Sequence, residues 1–322
     1  MAATPPLRIA HIGAGAFSNG YIFPQLAQHD IRLIAICDLI EEKAQAAAAR
    51  YGFEHVHTDF GRMLEVEEPD AVVCIGGPKV HYEVGKEVLE RGFPLYIQKS
   101  PAPTSQATQE LADLAAKAGV VCHVGFNIRS SEALLRAKDI TAREDFGPVA
   151  LVIVRYGLVS GATLRDAVMD QHCHAFDLLR QLGGEVRELS VKRGEVAGDR
   201  GYVAAVKFES GAVGSVNFTS GQIPGKEFLY FEVTGTDGHF LTCHDFDLRY
   251  RSATAPDEVH RVGNFAGRLR DLTWLGYVGD LANFLDAVRG GAEDRAPVAD
   301  TIATMKLCEE AYRQLREQGA EE

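Results

Sequence analysis

The sequence lacks an excess of positive charge, and it has no C-x-x-C pair. It also lacks an apolar run near the ~20 residues that span a bilayer. Each absence removes a class of function. Lysine and arginine number 33 against 45 aspartates and glutamates, a formal net charge of −12. A chain this acidic repels nucleic acid and anionic membranes, so neither is expected as a partner. The N-terminus, MAATPPLRIA, has no basic stretch followed by an apolar one. The first strand is expected at Leu7, which leaves no room for a signal peptide. The six cysteines (Cys37, Cys74, Cys122, Cys173, Cys243 and Cys308) are scattered. Reduced thiols and a cytoplasmic location are therefore expected. Cys37, Cys74 and Cys122 lie near the ends of apolar runs and read as small core residues.

What is present fits two globular domains. A chain of 322 residues is long enough for two hydrophobic cores. Short apolar runs at Leu7–Ile12, Arg32–Cys37, Ala71–Ile75, Pro94–Ile97 and Val120–Val124 alternate with helical segments. Those segments are Ala16–Gln28, Glu41–Tyr51, Val80–Arg91 and Thr104–Ala118. Asp59–Leu64 adds a short helix after a weak extended stretch at His55–His57. The runs are nearly all apolar rather than alternating, as in parallel strands covered on both faces. This order predicts an α/β domain with a doubly wound parallel sheet over residues 1–125.

Beyond Gly125 the grammar changes. A linker helix at Glu132–Lys138 and a strand at Val149–Tyr156 precede a helix at Asp170–Leu182, which stops at Gly183-Gly184. Strands then follow at Tyr202–Phe208, Val213–Thr219, Glu227–Thr234, Gly238–Leu241 and Phe246–Tyr250. Turns at 208–212 and 235–238 join them as hairpins. Residues 126–322 are expected to form an α+β domain with an open, mostly antiparallel sheet. Helices at Tyr277–Val288 and Asp300–Glu317 close the chain and are free to pack back on the first domain.

The first strand runs into Gly13-Ala14-Gly15-Ala16-Phe17-Ser18. Gly13 permits a tight turn, and Gly15 lets the backbone approach a pyrophosphate. The third position, which packs helix on strand, is Ser18, where Gly or Ala is usual. Asp38 ends the second strand, where a carboxylate can accept from both ribose hydroxyls. Together these predict a Rossmann site for NAD, with NADP disfavoured because Asp38 repels a 2′-phosphate. A generic strand–helix turn and a helix N-cap remain the alternatives for the glycines and for Asp38.

The fingerprint, Tyr96-Ile97-Gln98-Lys99-Ser100-Pro101, Gly125-Phe126-Asn127-Ile128-Arg129 and Asp170-Gln171-His172-Cys173-His174 together resemble the Gfo/Idh/MocA oxidoreductases. The resemblance spans nearly the whole chain. It departs from the family pattern at Gln98 (usually Glu), Ser100 (usually Pro) and His172 (usually Gly). It implies Lys99, Asp170 and His174 as the catalytic set. It also implies Gly13, Ala14, Gly15, Ala16, Phe17, Asp38, Gly76, His81 and Lys99 as the cofactor contacts. The implied substrate is a sugar or cyclic polyol, and the implied assembly is a homodimer or homotetramer through the second sheet.

His174 suits a general base, since an imidazole titrates near neutrality. Asp170 lies at i−4 on the same helical stripe and can orient the ring. Asp177 and Gln181 share that stripe, so a solvated helix face is the plain alternative. Lys99, at the carboxyl edge of the sheet, can stabilise alkoxide charge. His81 either frames the nicotinamide pocket or starts a helix. Arg129 either faces substrate or makes an ion pair. His172-Cys173-His174 and Cys243-His244-Asp245 match no zinc spacing, so no metal is expected. Three activities stay open: net dehydrogenation or reduction, a hidden redox cycle in a lyase, glycosidase or epimerase, and NAD sensing without catalysis.

Overall fold

In the computed structural model the described residues are 5–157, 163–196, 201–218, 229–236, 238–261 and 268–320. The chain begins β1 (Leu7–Ile12), β2 (Ile31–Cys37), α1 (Glu41–Tyr51), β3 (His55–His57) and α2 (Phe60–Glu67). It continues β4 (Ala71–Cys74), α3 (Pro78–Glu90), β5 (Leu95–Gln98), α4 (Ser105–Ala118) and β6 (Cys122–Gly125). Next come α5 (Glu132–Thr141), β7 (Val149–Tyr156), α6 (Leu164–Asp166), α7 (Cys173–Gly183) and β8 (Val186–Arg193). The strands β9 (Tyr202–Phe208), β10 (Val213–Phe218), β11 (Leu229–Gly235), β12 (Phe240–His244), β13 (Asp247–Arg251) and β14 (Glu258–His260) follow. Helices α8 (Arg268–Trp274), α9 (Tyr277–Val288) and α10 (Val298–Glu317) end it.

The described residues fall into two compact units, 5–130 with 268–302 and 131–261 with 303–320, and the division lies inside α10. The first unit holds a six-stranded sheet in the order β3-β2-β1-β4-β5-β6, parallel throughout. Every residue of β4, β5 and β6 is buried, as a sheet covered on both faces requires. Leu281, Phe284 and Leu285 of α9 join Ile9, Ile36 and Val73 in the core of this unit. Helix starts follow local chemistry. The Asp59 side chain caps α2 by accepting from the Arg62 N–H, and Thr104 caps α4 by accepting from the Ala107 N–H.

The first helix differs from expectation. Instead of one α-helix over Ala16–Gln28 there is a π-turn at Ser18–Ile22 and a 3-10 segment at Phe23–Gln28. Pro24 has no N–H to close an α-helical bond, so a regular ladder cannot run through it.

The second unit holds an eight-stranded sheet ordered β14-β13-β12-β11-β7-β10-β9-β8. Its neighbours are antiparallel except β7 and β10, which run parallel. Strand β8 was not expected. Of its eight residues only Val191 is fully buried, so this edge strand leaves little apolar alternation to detect. Strands β12 and β13 begin later than the sequence suggests, because Gly238, Asp245 and Phe246 all have positive φ and belong to the turns. Residues 219, 227, 228 and 237 of the expected strands and turn lie outside the described residues. The expected helix at Asp170–Leu182 is interrupted. A π-turn spans Ala167–Gln171, His172 is the junction, and α7 starts at Cys173. Its buried residues include His174, Asp177 and Arg180, so α7 has no solvated stripe of the kind Asp177 and Gln181 suggested.

Candidate active site

The carboxyl ends of β1, β2, β4, β5 and β6 bring their loops to one edge of the parallel sheet, the ligand edge of such folds. The β1 turn is tied down residue by residue. Gly13 has φ +95, and a Cβ there would lie 2.1 Å from the Ile75 carbonyl oxygen, so only glycine fits. A Cβ at Gly15 would meet nothing within 4 Å. The protein therefore leaves the space above Gly15 open, and the packing of the fold itself does not call for glycine there.

Asp38 supports this turn directly. Its Oδ2 accepts from the Ala14 N–H at 2.7 Å, and its Oδ1 accepts from the Ile40 N–H at 2.9 Å. It is not the N-cap of α1, a position that Ile40 occupies without a side-chain bond. Each carboxylate oxygen keeps a second lone pair for another donor. Ser18 is buried, and its hydroxyl donates to the Gly13 carbonyl at 2.6 Å. The His11 Nε2 lies 3.0 Å from the same oxygen. Burial pushes His11 down to about 4, so the ring is neutral at physiological pH. A third-position serine is accommodated because this carbonyl takes up its hydroxyl.

Asn19 Nδ2 donates to the carbonyls of Ala14 and Gly15, both at 2.9 Å. Ala16 is exposed in the turn. Phe17 stacks on Tyr21 at 4.7 Å, and Tyr21 lies 5.0 Å from the Tyr277 ring.

His81 is fully buried and pins two loops together. The Gly76 N–H donates to its Nε2 at 3.0 Å, so Nδ1–H donates to the Ser100 carbonyl at 2.8 Å. It thus frames the edge from the protein side. Lys99 is half-buried at the end of β5, and the Lys99–Ser100 peptide is cis. Arg129 resolves to the structural alternative. It is buried, donates to the Arg295 carbonyl at 2.9 Å and pairs with Asp300 at 2.6 Å.

Lys99 belongs to the first unit, whereas Asp170 and His174 belong to the second. Asp170 lies in the π-turn and accepts from Gln171 Nε2 at 3.1 Å. His174 is buried in the first turn of α7, its ring 6.0 Å from that of Tyr156. Asp170 thus stands near the end of the π-turn and His174 near the start of α7, on either side of the His172 junction. Asp177 is buried and accepts from the Thr304 hydroxyl at 2.9 Å. His172 is also buried, its ring 3.8 Å from Phe218 and its Nδ1 2.6 Å from the Tyr202 hydroxyl.

Two family models match the chain. Residues 7–126 match the oxidoreductase family NAD-binding Rossmann fold, and residues 165–320 match the oxidoreductase family C-terminal alpha/beta domain. The chain belongs to the Gfo/Idh/MocA oxidoreductase family. Among curated relatives, D-apiose dehydrogenase of Paraburkholderia graminis is 24% identical, covering 96% of this chain and 87% of that protein. D-glucoside 3-dehydrogenase of Escherichia coli is 35% identical over 125 residues, 38% of this chain and 36% of that protein. A dehydrogenase structure from Chromobacterium violaceum superposes with TM-score 0.88 at 22% identity, covering 98% of this chain and 97% of that one. Levoglucosan dehydrogenase in complex with NADH has TM-score 0.81 at 18% identity, with coverage of 97% and 98%.

Two of the chain's departures from the Gfo/Idh/MocA pattern have visible partners. His172, where glycine is usual in the family pattern, joins Phe218 and Tyr202 in a three-ring cluster. Gln98 donates through Nε2 to the Tyr96 hydroxyl at 2.8 Å, and Tyr96 donates to Asp280 Oδ2 at 2.8 Å. Asp280 Oδ1 lies 3.2 Å from His123 Nε2, and His123 Nδ1 lies 2.6 Å from Asp294. Burial opposes the charged form of His123, but Asp280 and Asp294 outweigh it and raise the ring to about 9. Burial and then Asp280 push the Tyr96 hydroxyl well above its usual range. Sequence reasoning missed this polar chain. The available signal was a histidine inside the otherwise apolar run Val120–Val124.

Proposed function

We propose that this protein is an NAD(H)-dependent dehydrogenase or reductase that moves a hydride to or from a ring hydroxyl or keto carbon of a sugar or cyclic polyol. The observation that carries the cofactor half is the Gly13–Phe17 turn. It is braced by Asp38 from below and left open above Gly15, where a pyrophosphate can approach the backbone. Asp38 is a carboxylate held by two N–H groups, so it favours ribose hydroxyls and repels a 2′-phosphate. Support for the substrate class comes from relatives named for apiose, glucosides and inositols and from a levoglucosan dehydrogenase of like fold.

In the oxidative direction NAD supplies the hydride acceptor. The carbinol carbon loses its hydride, and the hydroxyl proton passes to His174, leaving a carbonyl. Asp170 is assigned to orienting the His174 ring, and the Lys99 ammonium to stabilising developing negative charge on the oxygen. Reduction is the reverse. The same reading assigns the protein to a reducing cytoplasm, consistent with six buried free cysteines.

The assembly proposed is a homodimer or homotetramer through the eight-stranded sheet. Along β7 and β11 one face is buried through Val152, Val154, Phe231 and Val233, while Leu151, Ile153, Tyr230 and Glu232 stay partly exposed. Such a half-apolar open face suits a second copy.

The test is NADH absorbance with a panel of polyols, aldoses and ketoses. Wild type is expected to turn over at least one of them, with NADH binding more tightly than NADPH. Lys99→Ala, Asp170→Ala and His174→Ala are each expected to lose more than about tenfold in turnover while still binding NADH. Near-normal turnover by the His174 variant overturns its assigned role.

A further inference from the structure

The buried chain from Gln98 to Asp294 takes no part in the chemistry just proposed, yet it ends one residue from Lys99. Its bond directions follow from the groups themselves. Asp280 is an acceptor, and Tyr96 has a single hydroxyl proton, which goes to Asp280. The tyrosine oxygen therefore faces position 98 as an acceptor, and only a donor suits that position. Gln98 supplies one. Gly125 lies opposite Gln98 in the β5–β6 register. A Cβ on Gly125 would come within 2.3 Å of Gln98 Nε2 and 2.7 Å of the Tyr96 hydroxyl. The amide thus fills a slot that Gly125 leaves for it.

A glutamate at position 98 would set acceptor against acceptor. It would also place a second carboxylate one tyrosine hydroxyl away from Asp280. Burial leaves such a charge without solvent to screen it. Among the described residues, the titratable groups that act on this chain include Tyr96 on β5, Cys122 and His123 on β6, Tyr277 and Asp280 on α9, and Asp294 in the following loop. The cation in this group is His123, which already serves both aspartates.

We propose that Asp280, held by His123, dictates a neutral donor at position 98 through Tyr96, and that this chain positions Lys99. The positioning claim rests on reading Lys99 as the residue that faces the reacting hydroxyl. On this account the buried negative charge can sit at 280 or at 98, but not at both.

The experiment compares wild type with Gln98→Glu, Asp280→Asn and the double variant. Thermal melts give the coupling, and acylation of Lys99 by an amine-directed ester, read by peptide mass spectrometry, gives the lysine environment. At about pH 8, Gln98→Glu is expected to lower Tm by at least about 5 °C. The gap narrows near pH 5, because a protonated carboxyl at position 98 can donate as the amide does. The folded pKa of that carboxyl would be raised, so its favourable contribution is present at low pH and lost as pH rises. Lys99 acylation is expected to change by about threefold or more. Adding Asp280→Asn restores both readouts towards wild type.

A Gln98→Glu protein that melts like wild type at pH 8 overturns the proposal, as does a double variant whose losses simply add. Coupled stability with unchanged acylation overturns the positioning of Lys99. If Gln98→Glu does not fold at pH 8, the double variant decides, and an unfolded double variant counts against the idea. Normal turnover by Lys99→Ala would instead strike the reading of Lys99 and leave the charge coupling intact.

Discussion

Gly13 and Gly15 sit two residues apart in one turn but answer to different constraints. A side chain at Gly13 collides with the Ile75 carbonyl, whereas one at Gly15 projects into open space. Gly13→Ala is therefore expected to cost more than about 3 kcal/mol, or to prevent folding. Gly15→Ala should melt within a degree or two of wild type yet weaken NADH binding about tenfold or more, by filling the pyrophosphate space. Equal NADH affinity for Gly15→Ala and wild type, by titration of NADH fluorescence, would remove the turn from the cofactor site. This part of the site was legible because its determinants are local in sequence: a strand, a glycine turn and an acid at the end of the next strand. The His123–Asp280 contact joins residues 157 apart, and nothing in either local sequence announces it. Gln98 reads as a defect in isolation and as a matched donor once Tyr96 and Asp280 are seen.

At the scale of elements, the irregular helices are where pattern reading stops. Strand positions were legible because parallel strands buried on both faces leave nearly continuous apolar runs, as in β4 and in residues 33–37 of β2. The interruption at His172 was not legible. A single extra residue in the helix turn leaves the apolar spacing nearly intact while rotating what precedes it. In the structure His172 stacks on Phe218 and joins it and Tyr202 in a three-ring cluster. His172→Gly, which restores the family residue, is expected to destabilise by about 2–4 kcal/mol through lost packing and an unpaired Tyr202 hydroxyl. Denaturant melts monitor that loss. A variant as stable as wild type would show that the ring is dispensable to the α7 junction.

For the molecule as a whole, the buried histidines shape stability from both sides. Burial holds His11 and His29 down to about 4 and His172 to about 3. Depressed folded values mean their contribution is present above the ordinary value of about 6.5 and lost as pH falls through it. His123, raised to about 9, works the other way. Its contribution is full below about 6.5 and fades as pH rises towards 9. Tm is thus expected to peak near neutrality and fall on both limbs, with the alkaline limb flattened in His123→Asn. Identical alkaline limbs in the two proteins would contradict this. Association through the open sheet belongs to the same scale. Ile153→Glu should lower the mass seen by light scattering on size exclusion, and an unchanged mass would place the interface elsewhere. Asp38 carries a consequence for the history of such a molecule. The carboxylate proposed to turn away a 2′-phosphate is also a strut of the glycine turn through Ala14. A basic residue at 38 would open the ribose pocket and undermine the loop in one stroke. On the proposed preference for NAD, a switch of cofactor calls for a second change that re-anchors Ala14.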